Sequence, residues 1–280
     1  MEYQIGNRSV YYKTVGEGKP LITISGIPSD HQIIKSWLEP IFEQRPGWQR
    51  IYFDLPGTGQ SFGEGITTID QVLEVVCQFI DSVFPNQTFT LLGLSVGGYL
   101  AQGIVMRKAK FIDGLCLLVP WLNEHEEDEL PAKMIIYKDA EAMSQLSPDD
   151  AEKLAGLAVV QSQKVVDWYR DVVVKARQGK NKSQIEDRIF SFDLEAAPHP
   201  FEKPTLILTG RQDTHVGYKD AWNLLEKFPR ATFAVLDRAG HALGVEQENL
   251  FRVMIHEWLD RVEESQTRGQ SSGAQQGTTK

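Results

Sequence analysis

The chain is poor in cysteine, in basic charge and in long apolar runs. Its 280 residues include two cysteines, Cys77 and Cys116, each inside an apolar stretch. Both read as buried free thiols, so no disulfide framework is expected. No His/Cys/Asp cluster has metal-ligand spacing either, and neither a metal nor a cofactor is expected. Lys and Arg number 29 against 38 Asp and Glu, a formal charge of −9. Without clustered basic charge there is no electrostatic footprint for nucleic acid or for anionic membranes. No run approaches the roughly 20 apolar residues needed to span a bilayer. The opening MEYQIGNRSV lacks the basic start and apolar run of a signal peptide, which makes the cytoplasm the expected compartment.

What is present is an ordinary globular composition, 41% hydrophobic and 10% aromatic, enough for one large core. Short strands around Tyr3–Ile5 and Ser9–Thr14 flank a Gly6-Asn7 turn and predict a hairpin. After it, apolar runs alternate with helical patterns. Leu21–Ile24 ends in Ser25-Gly26-Ile27-Pro28, and Ile51–Phe53 is closed by Asp54-Leu55-Pro56-Gly57-Thr58-Gly59. Thr68 and Gln71 have capping-box spacing before a helix whose apolar face runs from Ile69 to Val83. Phe89–Leu94 reads as a strand, Val96–Lys108 as a helix and Ile112–Val119 as a strand buried on both faces. From Leu122 to about Pro200 the pattern turns polar and helical, with an acidic cluster (Glu124, Glu126, Glu127, Asp128, Glu129) and a Ser147-Pro148 helix start. The strand–helix alternation resumes at Thr205–Thr209, Tyr218–Phe228 and Thr232–Leu236. It closes with an amphipathic helix carrying Leu250, Val253, Met254, Trp258 and Leu259. Residues 265–280 hold almost no apolar side chain and read as a disordered tail.

This alternation predicts an α/β fold, a mainly parallel sheet with helices on both faces and an antiparallel hairpin at one edge. The expected division is a core of residues 1–121 and 201–264, a helical insertion at 122–200, and the tail.

The chemistry concentrates at three strand ends. Gly93-Leu94-Ser95-Val96-Gly97-Gly98 lies where a strand pattern stops and a helix pattern begins, the setting of a nucleophile elbow. A serine presented on so sharp a turn needs strained backbone angles and very small neighbours two residues away on either side, hence Gly93 and Gly97. It also lies at a helix N-terminus, whose free amides favour developing negative charge. A serine hydroxyl needs a base. Of six histidines, His241 follows a strand pattern in Arg238-Ala239-Gly240-His241, where catalytic residues of open α/β sheets gather. His215, two residues from Asp213, is its competitor. His256 falls within the last helix and reads as structural. His31, His125 and His199 read as surface residues, although His31 is near enough to the Ser25-Gly26 loop to line a pocket. Asp213, in Gly210-Arg211-Gln212-Asp213 beyond the Thr205–Thr209 strand, is the expected orienting acid. Gly57-Thr58-Gly59 shares the start of a dinucleotide loop, but no third glycine follows at the required spacing and there is no Walker lysine.

With the order Ser95, Asp213, His241, the chain resembles the α/β-hydrolase superfamily, in the branch with a helical cap inserted after the sixth strand. The likeness runs from the hairpin to about Val262. Asp54-Leu-Pro-Gly-Thr-Gly-Gln-Ser61 is similar to that branch's loop after the fourth strand. Gly210-x-x-Asp213 and Gly240-His241-x-x-x-x-Glu246 are similar to its acid and base signatures. The resemblance implies Ile27 and Val96 as oxyanion donors and a small-molecule substrate, cleaved at an ester or related activated acyl bond. A carbon–carbon bond hydrolase or an aminopeptidase with the same three residues, and a non-catalytic ligand receptor, are the alternatives. Dehalogenases and epoxide hydrolases need a carboxylate where Ser95 stands. Ser25-Gly26 departs from the family's usual His-Gly and leaves open how the Ser25–Asp30 loop is braced. Gly26 and Trp121 are the expected substrate-pocket residues, and the acidic cluster reads as a solvated surface.

Overall fold

The computed structural model describes residues 1–122, 130–177 and 200–275. Strands β1 (Glu2–Ile5) and β2 (Arg8–Val15) form the expected antiparallel hairpin. Gly6 turns it with φ +60, a conformation that favours glycine. Next come β3 (Lys19–Ile24), helix α1 (Gln32–Phe42), β4 (Trp48–Phe53), α2 (Ile69–Val83), β5 (Phe89–Leu94), α3 (Val96–Lys108) and β6 (Ile112–Leu118). The insertion contributes β7 (Tyr137–Lys138), α4 (Ala140–Met143), α5 (Pro148–Leu157), β8 (Val160–Gln161) and α6 (Gln163–Trp168). Helix α6 runs on through a wider turn at Tyr169–Val173 into α7 (Val174–Ala176). The core resumes with β9 (Thr205–Gly210), α8 (Lys219–Asn223), β10 (Ala231–Leu236), α9 (Leu243–Glu246) and α10 (Glu248–Gln275).

Eight strands form one sheet in the order β1-β2-β4-β3-β5-β6-β9-β10. The hairpin joins it through an antiparallel β2–β4 pairing, and every pairing from β4 to β10 is parallel. The unbroken apolar runs follow from burial on both faces. Successive strand residues point to opposite sides, so Leu92, Cys116 and Leu206 join Trp37 and Trp258 of α1 and α10. Their neighbours Leu91, Leu115 and Ile207 join Val72 and Leu100 of α2 and α3 on the other face. Cys77 and Cys116 are buried and unbridged. The capping box at the start of α2 is formed: the Gln71 amide donates to Thr68 Oγ1 while Gln71 Oε1 accepts from the Thr68 amide.

Two sequence expectations change. The last helix does not stop near Val262 but continues to Gln275, so the disordered tail expected from residue 265 is helical that far. Polar contacts replace the missing apolar ones: Gln266 Nε2 donates to Asp113 of the core at 2.9 Å, and Thr267 Oγ1 to the Glu263 carbonyl. The insertion is not purely helical, because β7 and β8 pair in parallel. Two-residue strands carry no readable period. Its helix starts follow the sequence, with Asp139 capping α4 and Ser147 capping α5. The acidic cluster, His125 and His199 lie outside the described residues. No described helix is long and apolar enough to cross a membrane.

Candidate active site

The parallel sheet brings four loops to one edge. The Ser25-Gly26-Ile27 loop follows β3, the Ser95 turn follows its neighbour β5, and Asp213 and His241 follow the adjacent strands β9 and β10. Residues far apart in the chain therefore meet at the carboxyl ends of the strands.

Ser95 has φ 56 and ψ −122, a strained conformation for a residue with a side chain. The turn is held from both sides: the Ser95 amide donates to Leu118 O at 3.0 Å, and the Ser95 carbonyl accepts from Gly98 N (2.8 Å) and Trp121 N (3.1 Å). A Cβ on Gly93 would run into the Gly97 carbonyl, and one on Gly97 into the Ile24 carbonyl. Both collisions are with backbone, so the two glycines expected around the serine are sterically required. The Ile27 and Val96 amides, expected as oxyanion donors, have no hydrogen-bond partner among the described residues. Both residues line the same cavity as Ser95.

Asp213 is fully buried, and its Oδ2 lies 2.8 Å from His241 Nδ1. Its other oxygen accepts from the His215 amide (2.8 Å) and the Val216 amide (3.2 Å), which fixes the carboxylate plane. Burial disfavours the Asp213 charge, but the charge and hydrogen bond of His241 and the His215 amide outweigh it, so the carboxyl stays below its ordinary range. Burial likewise disfavours the His241 imidazolium, and the Asp213 charge and hydrogen bond overcome it, raising His241 above its usual value. His215 does not reach the Asp213 carboxylate with its ring. It stacks on His241 with centroids 5.1 Å apart, and burial followed by the His241 charge pushes it down to about 4. Geometry thus separates the two candidate bases. Ser95 and His241 face one cavity without a hydrogen bond between them, and such contacts commonly tighten only when substrate arrives.

That cavity measures about 350 Å³. Gly26 and Trp121 line it, as the sequence suggests. Sequence reasoning missed Trp37 on α1 and the insertion residues Leu157, Trp168, Val173 and Arg177. Their helical spacing is that of any packed face.

His31 corrects another expectation. It is 2% exposed, not a surface residue, and its Nδ1 bonds Asp54 Oδ1 at 2.7 Å. Asp54 also accepts the His31 and Gln60 amides, and its carbonyl accepts the Ser61 hydroxyl. The Asp54–Ser61 motif therefore braces the end of the Ser25–Asp30 loop, where Ser25, its hydroxyl buried without a partner among the described residues, replaces the usual histidine. Glu246 has a role that its motif did not disclose. Its Oε1 accepts from the amides of Val159 (2.6 Å) and Val160 (3.0 Å) in the insertion, and its Oε2 from Gly240 (2.8 Å), tying the insertion to the His241 loop. Burial raises Glu246 to about 7 against the pull of these amides.

Asp30, His31 and Asp54 place three potential ligand atoms within 4.8 Å of one another. His31 Nδ1 and both Asp54 oxygens already serve internal hydrogen bonds.

The family model for serine aminopeptidase, S33, matches residues 43–248, from the end of α1 through the elbow, Asp213, His241 and Glu246. The chain belongs to this family of α/β hydrolases. A solved α/β-superfamily hydrolase from Oenococcus oeni superposes with a TM-score of 0.82 at 26% identity, covering 94% of this chain and 99% of that one. A proline iminopeptidase from Saccharolobus solfataricus is 24% identical across 91% of this hydrolase and 90% of its own length. A pimeloyl-[acyl-carrier protein] methyl ester esterase from Nitrosomonas europaea is 22% identical, over 84% and 93% respectively. Relatives with such different named activities share the hydrolase scaffold, so the reaction of this α/β hydrolase is argued from its site.

Proposed function

We propose that this α/β hydrolase cleaves an ester or related activated acyl bond of a small molecule through an acyl-enzyme on Ser95. The observation that carries the reading is the Asp213–His241 hydrogen bond of 2.8 Å at the cavity that also exposes the strained Ser95 turn. Asp213 holds the proton on Nδ1 and leaves Nε2 as the acceptor. As Ser95 Oγ bonds to the acyl carbon, its proton passes to Nε2. The carbonyl electrons collect on oxygen, beside the Ile27 and Val96 amides. Collapse of this intermediate breaks the bond to the leaving group, which takes the proton from His241. Water then attacks the acyl carbon, giving its proton to the same ring. Release of the acid returns the proton to Ser95. Each oxyanion donor is worth about 3–4 kcal/mol of barrier in enzymes of this kind.

The test pairs a serine-directed phosphonate with a panel of 4-nitrophenyl esters of increasing acyl length. Stoichiometric labelling of Ser95 and ester turnover that Ser95→Ala abolishes are expected. Labelling at another residue defeats the assignment. Turnover of ring-fission dienones or amino-acid arylamides in preference to esters would shift it to carbon–carbon or amide cleavage.

A further inference from the structure

The cavity carries an asymmetry of charge that the acyl-transfer chemistry does not use. Its described wall is mostly apolar, with Ile33, Trp37, Leu157, Trp168, Val173 and Val216 lining it together with Ser95 and His241. No Asp or Glu is part of that described wall, and its single permanently charged side chain is Arg177, at the C-terminal end of α7. Arg45, Arg50, Arg107, Arg170, Arg252 and Arg261 each hold a carboxylate elsewhere in the protein. The Arg177 guanidinium has no hydrogen bond or ion pair to another side chain among the described residues, although its backbone amide donates to the Val173 carbonyl. Its positive charge is nevertheless felt at the reaction centre: it helps keep His215 neutral, after burial and the His241 charge, and the His215 ring stacks on His241.

A guanidinium without a side-chain partner among the described residues, on a mostly apolar described wall, suits an anion. Its planar fork of N–H donors matches a carboxylate in bidentate fashion, from an exposed position on the cavity wall. We propose that Arg177 binds a carboxylate on the substrate, so that the preferred substrates are acid-bearing esters, such as half-esters of dicarboxylic acids. This rests on the acyl-enzyme reading above and gives its substrate class. An apolar spacer lies along Trp37, Trp168 and Val173, with the scissile ester at Ser95 and the free carboxylate at Arg177. A substrate ammonium group would meet the same guanidinium and be repelled, which opposes an aminopeptidase specificity. The bland reading is that Arg177 only complements the carbonyl end of α7, which a cation favours. That role would not discriminate between substrates.

The discriminating measurement compares mono-4-nitrophenyl adipate with 4-nitrophenyl hexanoate, which share chain length and leaving group and differ in one carboxylate. The expected kcat/KM ratio favours the acid by roughly tenfold or more, the scale of one charge-assisted hydrogen bond, with most of the difference in KM. The ratio shrinks as salt is added. Arg177→Gln brings it close to one, Arg177→Lys recovers part of it, and Arg177→Glu reverses it. A native ratio near one, or a ratio unmoved by Arg177→Gln, overturns the proposal. Binding is read separately by calorimetric titration of Ser95→Ala protein with monomethyl adipate, with and without Arg177→Gln. Binding lost with Arg177 supports the inference even if neither nitrophenyl ester turns over, a result that would count against the esterase reading alone. Binding indifferent to Arg177 overturns it whatever the turnover.

Discussion

Replacing Asp213 by Asn tests the site most directly, because the structure dictates how the new amide must sit. One carboxylate oxygen accepts the His215 and Val216 amides, at 2.8 and 3.2 Å, while the other bonds His241 Nδ1 at 2.8 Å. In Asp213→Asn the two backbone donors require the carbonyl oxygen on their side, since an NH2 there would leave two buried amides facing a donor. The side-chain NH2 is therefore turned toward His241 and donates to Nδ1. The imidazole must then carry its proton on Nε2, facing Ser95, and can no longer accept the serine proton. Loss of the working tautomer costs about 10⁴-fold in kcat, or about 5 kcal/mol at 1.36 kcal/mol per tenfold. The pH profile supplies a second readout. In the native enzyme Asp213 raises His241, so the rising limb of kcat/KM, which follows loss of the imidazolium proton, lies above about pH 6.5. Without that carboxylate the desolvating effect of burial is opposed only by the weaker influence of the Glu246 charge, and the limb moves to lower pH. The assay is ester hydrolysis from pH 5 to 9, with circular dichroism to verify folding. A folded variant retaining a tenth of native kcat, or a limb that stays in place, would refute the reasoning.

Ser95→Gly removes the nucleophile together with the strain at φ 56, so melting rises by about 2–4 °C for roughly 1 kcal/mol gained, whereas Ser95→Ala loses activity without that rise. Gly97→Ala drives a Cβ into the Ile24 backbone and costs about 3 kcal/mol, seen as a lowered denaturation midpoint and lost phosphonate labelling; an unchanged midpoint would contradict the required close approach. Glu246→Ala orphans three buried amides, those of Val159, Val160 and Gly240, and costs about 3 kcal/mol at roughly 1 kcal/mol each. Its kcat falls with it, because Gly240 positions the His241 loop, and equal melting of variant and native protein would argue against that tie. The native His241–Asp213 pair also sets a stability window. Its contribution fades as pH rises through the elevated His241 value and as it falls through the depressed Asp213 value, which urea titrations across pH 3 to 9 will show.

Much of the core could be read from the chain because its signals are local. Leu91–Leu92, Leu115–Cys116 and Leu206–Ile207 are apolar in succession because a parallel sheet covered on both faces buries every residue, and that requirement appears as an unbroken run. Gly93 and Gly97 flank Ser95 because the backbone passes too close for a Cβ, and such a constraint leaves its mark in adjacent positions. The sequence thereby determined the strand–helix alternation, the elbow and the order of the three candidate catalytic residues. Tertiary structure alone decided what depends on contacts between distant segments. His31, read as a surface residue, is buried because Asp54, 23 positions away, bonds it. The last helix runs past Ser265, where Gln266 bonds Asp113 across 153 positions and composition shows only a polar tail. Glu246 joins the insertion to the His241 loop over 87 positions, and Arg177 reaches the cavity only because the insertion folds back over the strand ends. Hydrogen bonds between remote polar groups impose no periodicity on the chain, so their partners were fixed only by the fold.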